Sequence, residues 1–139
     1  MIKSMMRQLL DKISSDVTPA QVTAVVQAYL DSWTQAQPEA RAALFAENVV
    51  VEDPVGAPAI IGKPALIAFW QSAAAYPTNF ITELKHLVVC GNEALVEFTM
   101  TIKVMGITQG TILIRENFKL DQAGKIISLR AFWDIDSVS

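Results

Sequence analysis

Residues 108–120 read Thr-Gln-Gly-Thr-Ile-Leu-Ile-Arg-Glu-Asn-Phe-Lys-Leu. Within this run Ile112, Ile114, Glu116, Phe118 and Leu120 stand two apart. Strand side chains alternate between faces, so these five share one face. Four of them are apolar, which predicts a strand with that face on a core. Glu116 is the exception. A carboxylate on an apolar face is costly to ionise, and its pKa should rise. A carboxylic acid held neutral near pH 7 can donate a hydrogen bond, a tool suited to acid–base or oxyanion chemistry.

The pattern extends on both sides of this strand. Phe80–Val89, Glu93–Met105 and Lys125–Asp134 also read as strands, with turn signals at Gly91-Asn92, Met105-Gly106 and Ala123-Gly124. Helices come before them. Thr18-Pro19-Ala20-Gln21 supplies an N-cap, a proline at the first helical position and a capping-box partner. The helix it opens is predicted to reach about Thr34, with Val22, Val25, Val26, Tyr29 and Trp33 on its apolar face. Pro38 opens a short second helix through Leu44 and Phe45. Val49–Asp53 is a short strand stopped by Pro54, and the Pro54–Pro58 loop is rigid. A further helix covers about Lys63 to Ala75, with Leu66, Phe69 and Trp70 inward. Helices followed by an antiparallel meander make an α+β fold, a curved sheet on three helices around an apolar pocket.

The 139 residues suit one domain, 17–139, preceded by an amphipathic segment over 1–16. In that segment Ile2, Met5, Met6, Leu9, Leu10 and Ile13 recur at helical spacing, predicting a helix packed on the domain or on a second subunit. It lacks the apolar core and cleavage site of a signal peptide. The chain is 52% hydrophobic with mean hydropathy +0.34, which suggests an apolar cavity, a buried subunit interface, or both. The net charge is −3 and the basic residues are scattered, so neither nucleic acid nor a membrane is expected as partner. No stretch is apolar enough to span a bilayer. The single cysteine, Cys90, excludes an intramolecular disulfide, and a reducing cytoplasm fits. The single histidine, His86, reads as an exposed strand residue, and no metal or other cofactor is expected.

Three residues are candidates to meet in the pocket: Asp53 at its strand end, Tyr29 on the helix stripe and Glu116. A carboxylate base, a phenol and a neutral carboxylic acid can together move a proton. Each also has a plainer reading. A tyrosine on such a stripe is usually core, Asp-Pro after a strand is usually a turn, and a buried glutamate can be half of an ion pair. Strand parity turns Arg115 and Arg130 away from Glu116, which argues against the ion pair.

Several stretches resemble the bacterial ketosteroid isomerases. Val22–Tyr29 is similar to their first catalytic helix, and Ala43–Glu47 followed by Val51-Glu52-Asp53-Pro54-Val55-Gly56 to the segment holding their base. Gly62 and the Phe69-Trp70 pair keep the spacing, and Ala123–Trp133 resembles the last hairpin. The resemblance covers nearly everything after residue 18. It implies the nuclear-transport-factor-2-like, or SnoaL-like, cone, a fold shared by many functions. It also implies Asp53 as the base that moves a proton across a dienolate, with Tyr29 and protonated Glu116 donating to the substrate oxygen. The implied pocket wall is Phe45, Trp70, Val96, Phe98, Met100, Ile112, Phe118 and Trp133.

Two positions depart from that family. Its protonated residue is an aspartic acid where this chain has Glu116; one methylene moves the carboxyl by roughly 1 Å, and such a misplacement can cost on the order of 100-fold in rate. Many members carry a tyrosine where this chain has Trp70, whose indole only donates.

The resemblance implies a cofactor-free isomerase of a small hydrophobic ketone, working as a homodimer. A polyketide cyclase or lyase using the same acid–base pocket, or a non-catalytic ligand-binding dimer, are the alternative readings. The dimer is expected through the outer sheet face, where Leu95, Leu113 and Phe132 lie opposite the pocket rows.

Overall fold

The Thr18 hydroxyl accepts a hydrogen bond from the Gln21 backbone N–H at 3.1 Å, and the Gln21 side chain accepts one from the Thr18 N–H at 2.7 Å. This reciprocal cap starts α2 (Pro19–Thr34) where the sequence predicts. The computed structural model describes residues 1–74 and 76–139. Before α2 lies α1 (Ile2–Leu10); after it come α3 (Pro38–Ala42), β1 (Phe45–Glu52), β2 (Ile60–Ile61) and α4 (Lys63–Ala73). The meander follows as β3 (Thr78–Cys90), β4 (Glu93–Val104), β5 (Ile107–Leu120) and β6 (Ile126–Phe132), with a closing 3₁₀ turn at Ile135–Ser137.

The six strands form one sheet in the order β2-β1-β6-β5-β4-β3. The β3–β6 meander is antiparallel, as its turn signals require. At the β4–β5 turn Met105 and Gly106 both have positive φ, 52° and 80°, the combination a tight hairpin turn demands. The sheet as a whole is mixed, because β1 runs parallel to β6, with Val51 opposite Leu129. A parallel neighbour needs a long crossover, and everything from β2 to β5 supplies it. Register shifts interrupt β1–β6, β3–β4, β4–β5 and β5–β6. Such bulges bend strands, and here they curve the sheet around α2.

Two local expectations are corrected. Phe45 opens β1 opposite Ile126 instead of ending a helix, and the Leu44 carbonyl accepts the Ile126 N–H at 2.9 Å. The helix expected to reach Ala75 ends at Ala73; Ala75 itself lies outside the described residues. The two-residue strand β2 and the final 3₁₀ turn carry no period long enough to read from sequence.

The core sits between α2, α4 and the concave sheet face. Val22, Val26 and Leu30 of α2 pack with Leu66, Phe98, Phe118, Leu120 and Ile126, each at most 2% exposed. The first helix stands apart from this core: α1 buries none of its residues, so its apolar stripe is not packed on the domain. Beyond α1, Ile13 approaches the body, 3.7 Å from where a Cβ on Gly91 would sit. Leu95 and Phe132 point outward and are 57% and 45% exposed, with Leu113 half-buried beside them.

Candidate active site

The strand register places the two carboxyls. Glu116 of β5 pairs with Ala131 of β6, and Asp53 follows Glu52, which pairs with Arg130. Asp53 and Glu116 therefore flank Ala131 from either side, two strand spacings apart, or roughly 10 Å along the sheet. The loop after Asp53 is tied to the same point, since the Val55 N–H donates to the Ala131 carbonyl at 2.8 Å. Tyr29 reaches the site from α2, its ring edge-on to Phe118 at 5.2 Å and to Phe45 at 5.8 Å.

These three residues line one cavity of about 220 Å³. Its wall includes the expected Phe45, Trp70, Phe98, Met100, Ile112 and Trp133. Val96 and Phe118 do not line it, although both point inward and are buried, as strand alternation predicts. On the floor side the lining ends at Phe98 on β4 and at Glu116 on β5. Val96 and Phe118 lie one step deeper, beneath the floor, where the sheet closes on α2. Sequence period gives the face of a strand but not the depth at which a cavity ends. Trp33, Val51, Leu66, Phe69, Phe80, Ile102, Ile114, Leu129 and Ala131 complete most of the lining and were not expected in it. Phe69 and Trp133, each 37% exposed, mark the mouth.

Glu116 is 3% exposed. Among the described residues it has no ion-pair partner: Arg115 pairs with Glu97 at 3.0 Å and Arg130 with Glu52 at 3.6 Å. Burial, then the nearby Asp53 charge, hold the Glu116 carboxyl well above the usual carboxylate range. Asp53 is half-buried, and burial raises its pKa too. The Trp133 indole N–H donates to Asp53 Oδ1 at 2.8 Å and pulls the other way, favouring the anion. No spacing in the sequence announces this bond across 80 residues. Burial and then Glu116 push the Tyr29 phenol well above its ordinary value, so it is a proton-bearing donor at neutral pH. The pocket thus combines a half-buried carboxyl at its mouth with a buried carboxyl and a buried phenol at its floor, both shifted toward their protonated forms.

The remaining titratable candidates lie elsewhere. His86 is exposed, as its strand position predicts, and Cys90 is exposed at the end of β3. Among the described residues no three His, Cys, Asp or Glu side chains cluster as a metal site would require. Among the described residues no helix is long and apolar enough to cross a membrane.

The SnoaL-like domain profile matches residues 26–128, which runs from within α2 into β6 and includes all three of these side chains. The chain belongs to the SnoaL-like family. A steroid Delta-isomerase from Nocardioides simplex is 34% identical over 114 residues, covering 82% of this chain and 90% of the relative. Among solved structures, an epoxide hydrolase/cyclase-like enzyme of pyran ring formation in the polyether salinomycin shares the SnoaL-like fold. Its TM-score is 0.76 at 24% identity, over 86% of this chain and 95% of that one. A Mycobacterium tuberculosis protein aligns with a TM-score of 0.78 at 21% identity, over 88% and 98% of the two chains. The SnoaL-like fold is therefore established, and this chain's side chains must decide the chemistry.

Proposed function

We propose that the protein isomerises a small hydrophobic ketone, moving a β,γ double bond into conjugation through an enolate. The observation that carries this reading is the pairing of opposed carboxyls in one apolar cavity: Asp53 at the mouth and Glu116 buried with no ion-pair partner among the described residues. Asp53 removes the proton from the carbon between the carbonyl and the double bond. The C–H electrons move into the carbonyl, and the oxygen becomes an enolate. Tyr29 and protonated Glu116 donate hydrogen bonds to that oxygen. Asp53 then returns the proton to the far carbon of the former double bond, and the carbonyl re-forms in conjugation. No co-reactant is consumed.

The 34% identity to a steroid Delta-isomerase supports a 3-oxo-Δ5-steroid or a ketone of similar shape as substrate. The cavity of about 220 Å³ is smaller than the roughly 300–1,000 Å³ of typical ligand sites, so a steroid would extend past Phe69 and Trp133 at the mouth. In the same reading the active form is a homodimer paired through the outward Leu95, Leu113 and Phe132.

The test is direct. The purified protein is mixed with a β,γ-unsaturated 3-ketosteroid and the ultraviolet absorbance of the conjugated product is followed. Turnover is expected, and Asp53→Asn should lower it by on the order of 10²–10⁴ without altering the circular dichroism. Absence of turnover in folded wild type, or an unchanged rate in Asp53→Asn, rejects the assignment and moves the search to cyclase substrates.

A further inference from the structure

Among the described residues, one buried side-chain polar atom has no hydrogen-bond partner: the indole Nε1 of Trp33. Trp33 stands one helical turn after Tyr29 on α2, and the two rings meet edge-to-face at 6.3 Å and 79°. Both line the cavity. A face of Trp33 is covered by Arg41, whose guanidinium carbon lies 3.4 Å from the indole centroid and 4.9 Å from that of Trp70. Arg41 is 4% exposed and, among the described residues, has no carboxylate within ion-pair distance. It is fixed by Ser32: Arg41 Nε donates to Ser32 Oγ and Arg41 Nη2 to the Ser32 carbonyl, each at 3.1 Å. The Ser32 hydroxyl in turn donates to the Tyr29 carbonyl at 2.6 Å. A buried cation and a partly buried indole thus pack together beside one phenol.

A buried N–H without an acceptor is costly, by about the desolvation penalty of the group. Edge-to-face neighbours also restrict where Trp33 can turn, with Phe80 at 5.1 Å and Trp70 at 6.1 Å. Of the groups acting on the Tyr29 phenol, Trp33 and Arg41 are the two that favour its anion; burial, Glu116 and Asp53 oppose it.

We propose that Trp33, held by Arg41, is a positioning residue for Tyr29: its indole N–H is directed at the phenol oxygen while the phenol proton goes to the substrate oxygen. A donor behind the oxygen polarises the O–H in front of it, since hydrogen bonds in series strengthen one another. It also leaves the phenol oxygen one orientation in which both partners are served. The proposal rests on Tyr29 being an oxyanion donor, and its first test does not depend on turnover.

That test is the indole ¹H–¹⁵N spectrum. The chain has three tryptophans, so three indole signals are expected. The Trp33 signal is the one missing from Trp33→Phe; should that variant fail to fold, Trp70→Phe and Trp133→Phe assign it by elimination. Tyr29→Phe deletes the phenol oxygen and keeps the ring. The Trp33 indole proton is expected to move upfield in Tyr29→Phe by more than the other two signals. A shift no larger than theirs overturns the proposal. With turnover in hand, Trp33→Phe should lower kcat roughly 2- to 12-fold, the loss of one neutral hydrogen bond, with KM little changed. In the Tyr29→Phe background the same substitution should have no further effect on kcat. An equal loss in both backgrounds overturns the link to Tyr29. If wild type shows no turnover, the isomerase reading fails alone and the spectrum still decides the contact.

Discussion

Replacing Glu116 by glutamine should change how the stability of this protein depends on pH. The native state holds the Glu116 proton more tightly than the unfolded chain does, because burial and the Asp53 charge raise its native pKa. In the unfolded chain a glutamic acid titrates near about 4.3. Below that pH both states carry the proton and Glu116 contributes nothing to the pH dependence. Above it the unfolded state releases its proton while the native state does not, so stability falls as pH rises. The slope reaches about 1.4 kcal/mol per pH unit and stops once the pH passes the native pKa. For a chain of this length each such unit lowers Tm by roughly 3–5 °C. Glutamine is close in shape and does not titrate, so Glu116→Gln removes this slope. Asp53, whose pKa is raised as well, adds a fall of the same sign in both proteins. The difference between the two stability curves should therefore grow with pH in favour of the variant. Urea unfolding of both proteins, repeated between about pH 4 and pH 8, measures it. Curves that stay parallel would falsify a neutral native Glu116. A wild type that gains on the variant with rising pH would mean that the folded protein binds the carboxylate as an anion.

Two further outcomes follow from contacts described above. Trp133→Phe removes the N–H that holds Asp53 toward its anion, so the acid limb of the kcat/KM profile should move to higher pH, with a drop in rate near neutrality; an unmoved limb would detach Trp133 from the base. Deleting residues 1–13 removes a helix that buries none of its residues, so urea unfolding of the shortened protein should agree with wild type within about 0.5 kcal/mol. A larger loss would show that the apolar stripe of α1 is covered in solution, and a sedimentation run on both forms would tell whether a second copy covers it.

Much of this molecule is legible in one dimension. The alternation over Ile112–Leu120 placed Glu116 on an inner face, and the structure buries it there. The Thr18–Gln21 cap fixed where α2 begins, and helical spacing put Tyr29 on the stripe that meets the sheet. These readings hold because strand and helix periods are local properties of the backbone, and a face follows from the period alone. The reading failed where a residue sits at an element's end. The neighbours of Phe45 favour a helix, yet its pairing with Ile126, 81 positions away, makes it a strand.

What the sequence determined by itself is the order of elements, the inward faces and the presence of a carboxyl where apolar side chains belong. Only the tertiary structure decided how deep the cavity runs, that Val96 and Phe118 lie below its floor, and that β1 joins β6 in parallel. It alone brought Trp133 to Asp53 and stacked Arg41 behind Trp33. The physical reason is distance along the chain. A period repeats every few residues and is written into neighbours, whereas a hydrogen bond between positions 53 and 133 depends on sheet order and curvature. Those are set by how all the apolar faces close over one another at once.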